Sequence, residues 1–168
     1  MVLRLGQIAS PIGDIVFACD GESLVALDFA DGAERLSRHL DRRHPGRARI
    51  PSAPDAVGRR LAAYFDGDLA ALDGIVAAPA GTPFERAVWA ALRQIPAGAT
   101  MTYGALAARL GRPAASRAVG HANGQNPVAI VIPCHRLIGA DGRLTGYAGG
   151  LDRKRWLLRH EGAEIERS

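Results

Sequence analysis

The sequence predicts an α+β chain of 168 residues, with a small antiparallel sheet and helices in its first half and a mostly helical second half. Three observations carry that expectation. Short apolar, β-branched runs alternate with turn residues over the first 30 positions. From residue 82 onward, helical periodicity and helix-start signals dominate. The charge balance also changes sign: the first 80 residues hold nine Arg against eleven Asp and Glu, and the rest hold eleven Arg and one Lys against six acids. We therefore expect an α/β scaffold domain over 1–80 and a second, basic domain over 81–168. A basic excess of that kind suggests a polyanion-facing surface.

In order, residues 2–8, 14–19 and 23–29 read as three strands of a meander. Pro11-Ile12-Gly13-Asp14 and Asp20-Gly21-Glu22-Ser23 supply the turns. Residues 33–43 read as a polar helix, His44 to Pro51 as a breaker-rich loop, and Asp55 to Phe65 as a second helix. The weakly patterned, small-residue stretch from Asp66 to Gly81 is expected to cross back to the sheet and act as a linker. Thr82-Pro83-Phe84-Glu85 then combines a threonine cap, a proline at the first helical position and a glutamate at the third, which is a capping box. Phe84, Val88, Trp89 and Leu92 make the apolar stripe of that helix. Thr102 caps a short helix that stops at Gly111. Pro113 is expected to start another, with Ala114, Ala115 and Ser116 in its first turn and Arg117 projecting beside them. Two short helices around a glycine turn match a helix-turn-helix, although a structural helix hairpin has the same pattern. Ala129-Ile130-Val131-Ile132 reads as a buried strand or core segment ending at Pro133. Ala140-Asp141-Gly142 suggests a hairpin turn. The last helix is expected from about Asp152 to Glu161, with Trp156, Leu157 and His160 on one face.

Several classes are excluded or disfavoured. No apolar run approaches the roughly 20 residues of a membrane helix, and the start of the chain lacks the apolar region of a signal peptide, so a cytoplasmic protein is expected. Cys19 and Cys134 are expected as reduced thiols, with Cys19 packed inside the second strand. No metal-ligand spacing occurs among the cysteines and histidines, so no metal site is expected. Lys154 is the sole lysine.

The stretch with the clearest chemistry is Pro133-Cys134-His135-Arg136. A thiol attacks as its thiolate, and a cysteine of ordinary pKa, about 8.5, is mostly protonated near neutrality. A neighbouring imidazole that takes the proton, with Arg136 adding positive field, lowers that barrier. The alternative is a small buried hydrophobe at the edge of the core.

Together with Asn126-Pro127, Arg117-Ala118-Val119-Gly120, Tyr147-Ala148-Gly149-Gly150 and His160-Glu161-Gly162, that stretch forms an ordered set. The set resembles the O6-alkylguanine-DNA alkyltransferases, densely over 82–162 and more loosely before. The resemblance implies a ribonuclease H-like first domain and a DNA-binding helix-turn-helix in the second. It implies Cys134 as nucleophile and alkyl acceptor, His135 as base through a water, and Glu161 as the group that orients His135. Tyr103 would donate a proton to the leaving base, and Asn126 would position the active-site turn. Arg117, Ala114, Ala115, Ser116, Tyr147, Ala148 and Arg136 would meet the DNA or the base, with Arg117 filling the gap in the stack. The role of His121 stays open.

The implied partner is double-stranded DNA containing O6-alkylguanine, with O4-alkylthymine as a further substrate. The base is flipped out from a protein that enters the minor groove. No cofactor is implied, because the alkyl group passes directly to sulfur. The transfer is expected to be single-turnover, since the sequence offers no second thiol or hydrolytic base to reverse a thioether. A monomer is expected, with cooperative binding on DNA left open. The zinc site of some relatives has no counterpart here, and Ala148 stands where some carry serine. The rival readings are a non-catalytic binder of alkylated DNA, a helix-turn-helix regulator and a thiol hydrolase.

Overall fold

A computed structural model of the chain describes residues 2–51 and 55–165. The chain divides into two compact units, Met1–Ala80 with Pro127–Val131, and Gly81–Asn126 with Ile132–Ser168.

In the first unit, β1 (Val2–Ile8), β2 (Ile15–Asp20) and β3 (Ser23–Phe29) form an antiparallel meander. α1 (Ala33–Arg43) and α2 (Asp55–Phe65) follow. Leu3, Ala18, Val25, Ala26 and Leu40 make a core cluster. Cys19 is fully buried on β2, and burial pushes its thiol up to about 11. The loop expected over His44 to Pro51 contains a strand, β4 (Ala48–Ile50), which pairs parallel to β1 and extends the sheet to the order β3-β2-β1-β4. Three residues between breakers carry too little alternation to announce a strand; β4 exists because the edge of β1 offers its hydrogen bonds. The stretch after α2 contains a 3-10 turn, Leu69–Gly74, and then reaches the sheet, where Ala77 bridges Leu24 in parallel.

In the second unit, α3 (Pro83–Arg93) opens on the expected capping box. Thr82 accepts from Glu85 N, and the Glu85 carboxylate accepts from Thr82 N. Val88, Trp89 and Leu92 are buried, and the Trp89 indole donates to Ala122 O at 2.9 Å. α4 (Tyr103–Arg109) is capped by Thr102. α5 (Ser116–Gly124) packs on both α3 and α4. Ala114 and Ala115 lie before α5 rather than in its first turn. Pro113 sits inside a turn closed by Ala115 N to Arg112 O at 2.9 Å, so the helix starts only at Ser116. β5 (Met101–Thr102) and β6 (Leu137–Ile138) form a two-residue parallel pair. Gly142, at φ +83, completes a turn in which Gly142 N donates to Gly139 O. Gly139 N also donates to Arg143 O at 2.9 Å across it, so the chain folds back where the turn was expected, while β6, which enters the turn, pairs with β5. α6 (Leu151–His160) buries Lys154, Leu157 and Leu158. Of the expected face, Leu157 alone is buried, while the Trp156 and His160 rings stack on each other at 4.7 Å.

Ala129–Ile132 is buried for the most part, but it is not a strand. Val128 makes a single bridge to Leu27, and Ile130 then takes φ +72. A β-branched residue in the left-handed region cannot continue a ladder. The chain instead turns, with Val131 N to Ala129 O and Cys134 N to Ile132 O both at 2.8 Å. Its apolar composition answers to burial and not to sheet pairing.

Candidate active site

That turn delivers Pro133 into a 3-10 turn, Cys134–Arg136, which places three functional side chains in succession. Asn126 holds the excursion at its base: its Nδ2 donates to Ile132 O at 2.8 Å. Cys134 is 8% exposed and His135 is fully buried.

Glu161 caps the end of α6, only 4% exposed. His135 Nε2 lies 2.9 Å from Glu161 Oε2. Burial alone would raise the Glu161 carboxyl, but His135 and the Arg136 guanidinium outweigh it and hold the group well below the usual carboxylate range. A carboxylate can only accept, so His135 Nε2 carries the hydrogen. Nδ1 is then the acceptor nitrogen of the neutral ring, and it has no protein partner among the described residues. Burial lowers the His135 pKa; Glu161 opposes that shift, while Arg136 and Lys154 add to it. The balance favours the neutral imidazole next to Cys134 in the turn, with one nitrogen available for a proton.

Arg136 is not placed to touch DNA, as the sequence reading expected. It is 7% exposed, with Nε 2.8 Å from Glu161 Oε1 and Nη2 2.9 Å from Oε2, while Nη1 donates to Ile95 O. Its positive field acts on Glu161 inside the protein. The loop after α3 also runs close to the end of α6: Gly98, at φ +89, lies so near the backbone carbonyl of Glu161 that a Cβ would sit 3.0 Å from it.

The sequence reading missed Lys154 and Thr145. Lys154 is fully buried and donates to Thr145 O at 2.7 Å. Burial drives its pKa down to about 8, with the Cys134 charge acting in the other direction. A cation there favours the thiolate over the thiol. Its signal in the sequence was its solitude, one Lys among twenty Arg. Thr145 also meets Tyr103, whose hydroxyl lies 3.0 Å from Thr145 Oγ1. The Tyr103 ring packs 3.6 Å from where a Cβ on Gly120 would lie, so it stands beside α5. Tyr147 is half-buried, and Ala148 is exposed in the same loop.

On α5, Val119, Ala122 and Asn123 face inward. Arg117, His121 and Gly124 are exposed, and Gly120 is partly so. At spacings of three and four they share one face. Ser116 is half-buried, as is Ala115 just before the helix, and Ala114 is exposed. No helix among the described residues is long and apolar enough to cross a membrane.

A buried Cys-His-Glu arrangement next to a helix-turn-helix, in a chain led by a small sheet, agrees with two family models. Residues 3–76 match the ribonuclease-like domain of 6-O-methylguanine DNA methyltransferase, and residues 83–163 match its DNA binding domain. The methylated-DNA–protein-cysteine methyltransferase of Salmonella typhimurium is 51% identical over 160 residues, 93% of this chain and 94% of that protein. The one from Mycolicibacterium paratuberculosis is 45% identical, covering 98% of each. Among solved structures, the Mycobacterium tuberculosis OGT in complex with DNA is similar at a TM-score of 0.79 and 41% identity, over 95% of this chain and 92% of that one. The chain belongs to the methylated-DNA–protein-cysteine methyltransferase family.

Proposed function

We propose that this protein repairs O6-alkylguanine in duplex DNA by moving the alkyl group, once and irreversibly, onto Cys134 Sγ. The observation that carries the reading is the fully buried His135 directly after Cys134 in the 3-10 turn, with Nε2 2.9 Å from Glu161 Oε2 and Nδ1 without a protein partner among the described residues. In the step, the Cys134 proton passes toward His135 Nδ1, through a water in the family's scheme. The thiolate forms a carbon–sulfur bond as the O6–carbon bond breaks. The electron pair left on O6 restores the guanine carbonyl, and the ring gains one proton, donated at the start by the Tyr103 hydroxyl. The imidazolium returns the balancing proton, so the sum is thiol plus alkylguanine to thioether plus guanine.

A base inside the stack cannot reach a buried sulfur, so the nucleotide is turned out at a cost of a few kcal/mol. The exposed face of α5 supports minor-groove entry, because its side chains other than Arg117 and His121 are small. Arg117 fills the space the base leaves. Phosphate contacts supply most of the affinity, with weak dependence on sequence. O4-alkylthymine presents the same O-alkyl bond beside a ring nitrogen and is taken as a second substrate. The acting unit is a monomer, and two thiols outside any disulfide suit a cytoplasmic setting.

The test is intact-protein and peptide mass spectrometry after exposure to a duplex with O6-methylguanine. One methyl should appear on the peptide containing Cys134, and none in Cys134→Ala. Methyl release beyond one per protein, or labelling that survives Cys134→Ala, would overturn the proposal.

A further inference from the structure

Arg136 has no part in the step just described, yet it is among the most committed side chains in the second unit. Its guanidinium reaches both oxygens of Glu161 and the carbonyl of Ile95. The oxygen it shares, Oε2, is the one that accepts from His135 Nε2. A guanidinium stays charged, and its planar fork matches a carboxylate in two parallel bonds, so the pair is rigid. The carboxylate therefore faces the imidazole in one orientation only.

The shared oxygen also has an electrostatic consequence. A bare buried carboxylate would hold an imidazolium strongly and leave no base for the thiol. A carboxylate already balanced by a guanidinium orients the ring while attracting its second proton much less. The charged and titratable groups that face His135 are Glu161 at the end of α6, Lys154 within α6, and Arg136 and Cys134 on its own turn. Glu161 favours the imidazolium, and the two cations oppose it.

We propose that Arg136 is a positioning residue for alkyl transfer: it clamps Glu161 so that His135 presents Nδ1, and it keeps that ring neutral and ready for the Cys134 proton. The inference rests on Cys134 being the alkyl acceptor.

The experiment is the single-turnover rate of methyl transfer against pH, at saturating O6-methylguanine duplex, for wild type, Arg136→Gln and Arg136→Lys. Arg136→Gln removes the cation, so the acid limb should move up by about one pH unit. That shift is a loss of about tenfold below the wild-type midpoint, which shrinks through neutral pH and has largely recovered by pH 9. Arg136→Lys keeps the charge without the fork, and should hold the wild-type midpoint while running slower at every pH. A rate in Arg136→Gln that falls by one factor across the whole range would overturn the proposal. If Arg136→Gln does not fold, nitrogen NMR of the wild-type imidazole decides: a neutral ring protonated on Nε2 at pH 7 supports the inference, and an imidazolium or an Nδ1–H ring refutes it. Wild type that takes no methyl on Cys134 would instead defeat the function proposed above, and the NMR result would still judge Arg136.

Discussion

Replacing Lys154 with methionine should raise stability and lower activity at the same time. The side chain is fully buried and its pKa falls from 10.5 to about 8, which corresponds to a burial cost of roughly 3 kcal/mol for the charged form. Methionine removes that cost but strands the Thr145 carbonyl, which loses its 2.7 Å donor at about 1–3 kcal/mol. The net gain at pH 7 is therefore about 1 kcal/mol. Its pH dependence is more diagnostic than its size. Between pH 8 and 10.5 the unfolded chain keeps the Lys154 proton and the folded chain does not, so wild-type stability rises across that window. The cost is fully present below pH 8, and Lys154→Met has no such group, so its advantage should shrink and reverse as pH rises, by up to about 3 kcal/mol. Methyl transfer at pH 7 should meanwhile slow by about tenfold or more, because the Cys134 thiolate loses a buried cation. Guanidinium unfolding of both proteins at pH 7, 8.5 and 10, with single-turnover transfer at pH 7, measures all of this. Parallel stability curves, or an unchanged transfer rate, would refute the reasoning.

Glu161→Gln leaves the buried Arg136 uncompensated and should cost about 3–5 kcal/mol at pH 7. Because the folded carboxyl is held low, that stability is present above the ordinary carboxylate pKa and is lost as pH falls toward the folded value; wild type and variant should converge in acid denaturation. Tyr103→Phe removes the hydroxyl that meets Thr145 and should cut the transfer rate by roughly 10²-fold or more with DNA affinity intact in a gel-shift assay. Thr82→Ala breaks the capping box of α3 and should lower stability by about 1 kcal/mol without touching the transfer rate.

The helices were legible where their own residues decide them. Thr82-Pro83-Phe84-Glu85 closes its hydrogen bonds within four residues, so its start needs no distant partner. The meander was legible for the same reason, its turns lying between adjacent strands. β4 was not, because it depends on the edge of β1 more than 40 positions away in sequence. Over Ala129–Ile132 the core-segment alternative holds and the strand does not, because burial and strand pairing select the same apolar residues, and only the backbone of Ile130 tells them apart. In the site, Cys134, His135 and Glu161 were readable through resemblance. The commitment of Arg136 was not, since an arginine in a basic half looks the same whether it faces a phosphate or a buried carboxylate. Lys154 was visible as an oddity of composition but carried no sign of its depth.

The assignment of Pro127–Val131 to the first unit has a practical result. Val128 bridges Leu27, and the sulfur follows a few residues later. A recombinant fragment cut after Ala80 would keep every side chain proposed for the chemistry yet lose the strand against which the segment before Cys134 is registered. Such a fragment should bind nucleic acid better than it accepts a methyl group, and supplying the missing N-terminal piece in trans should restore the chemistry.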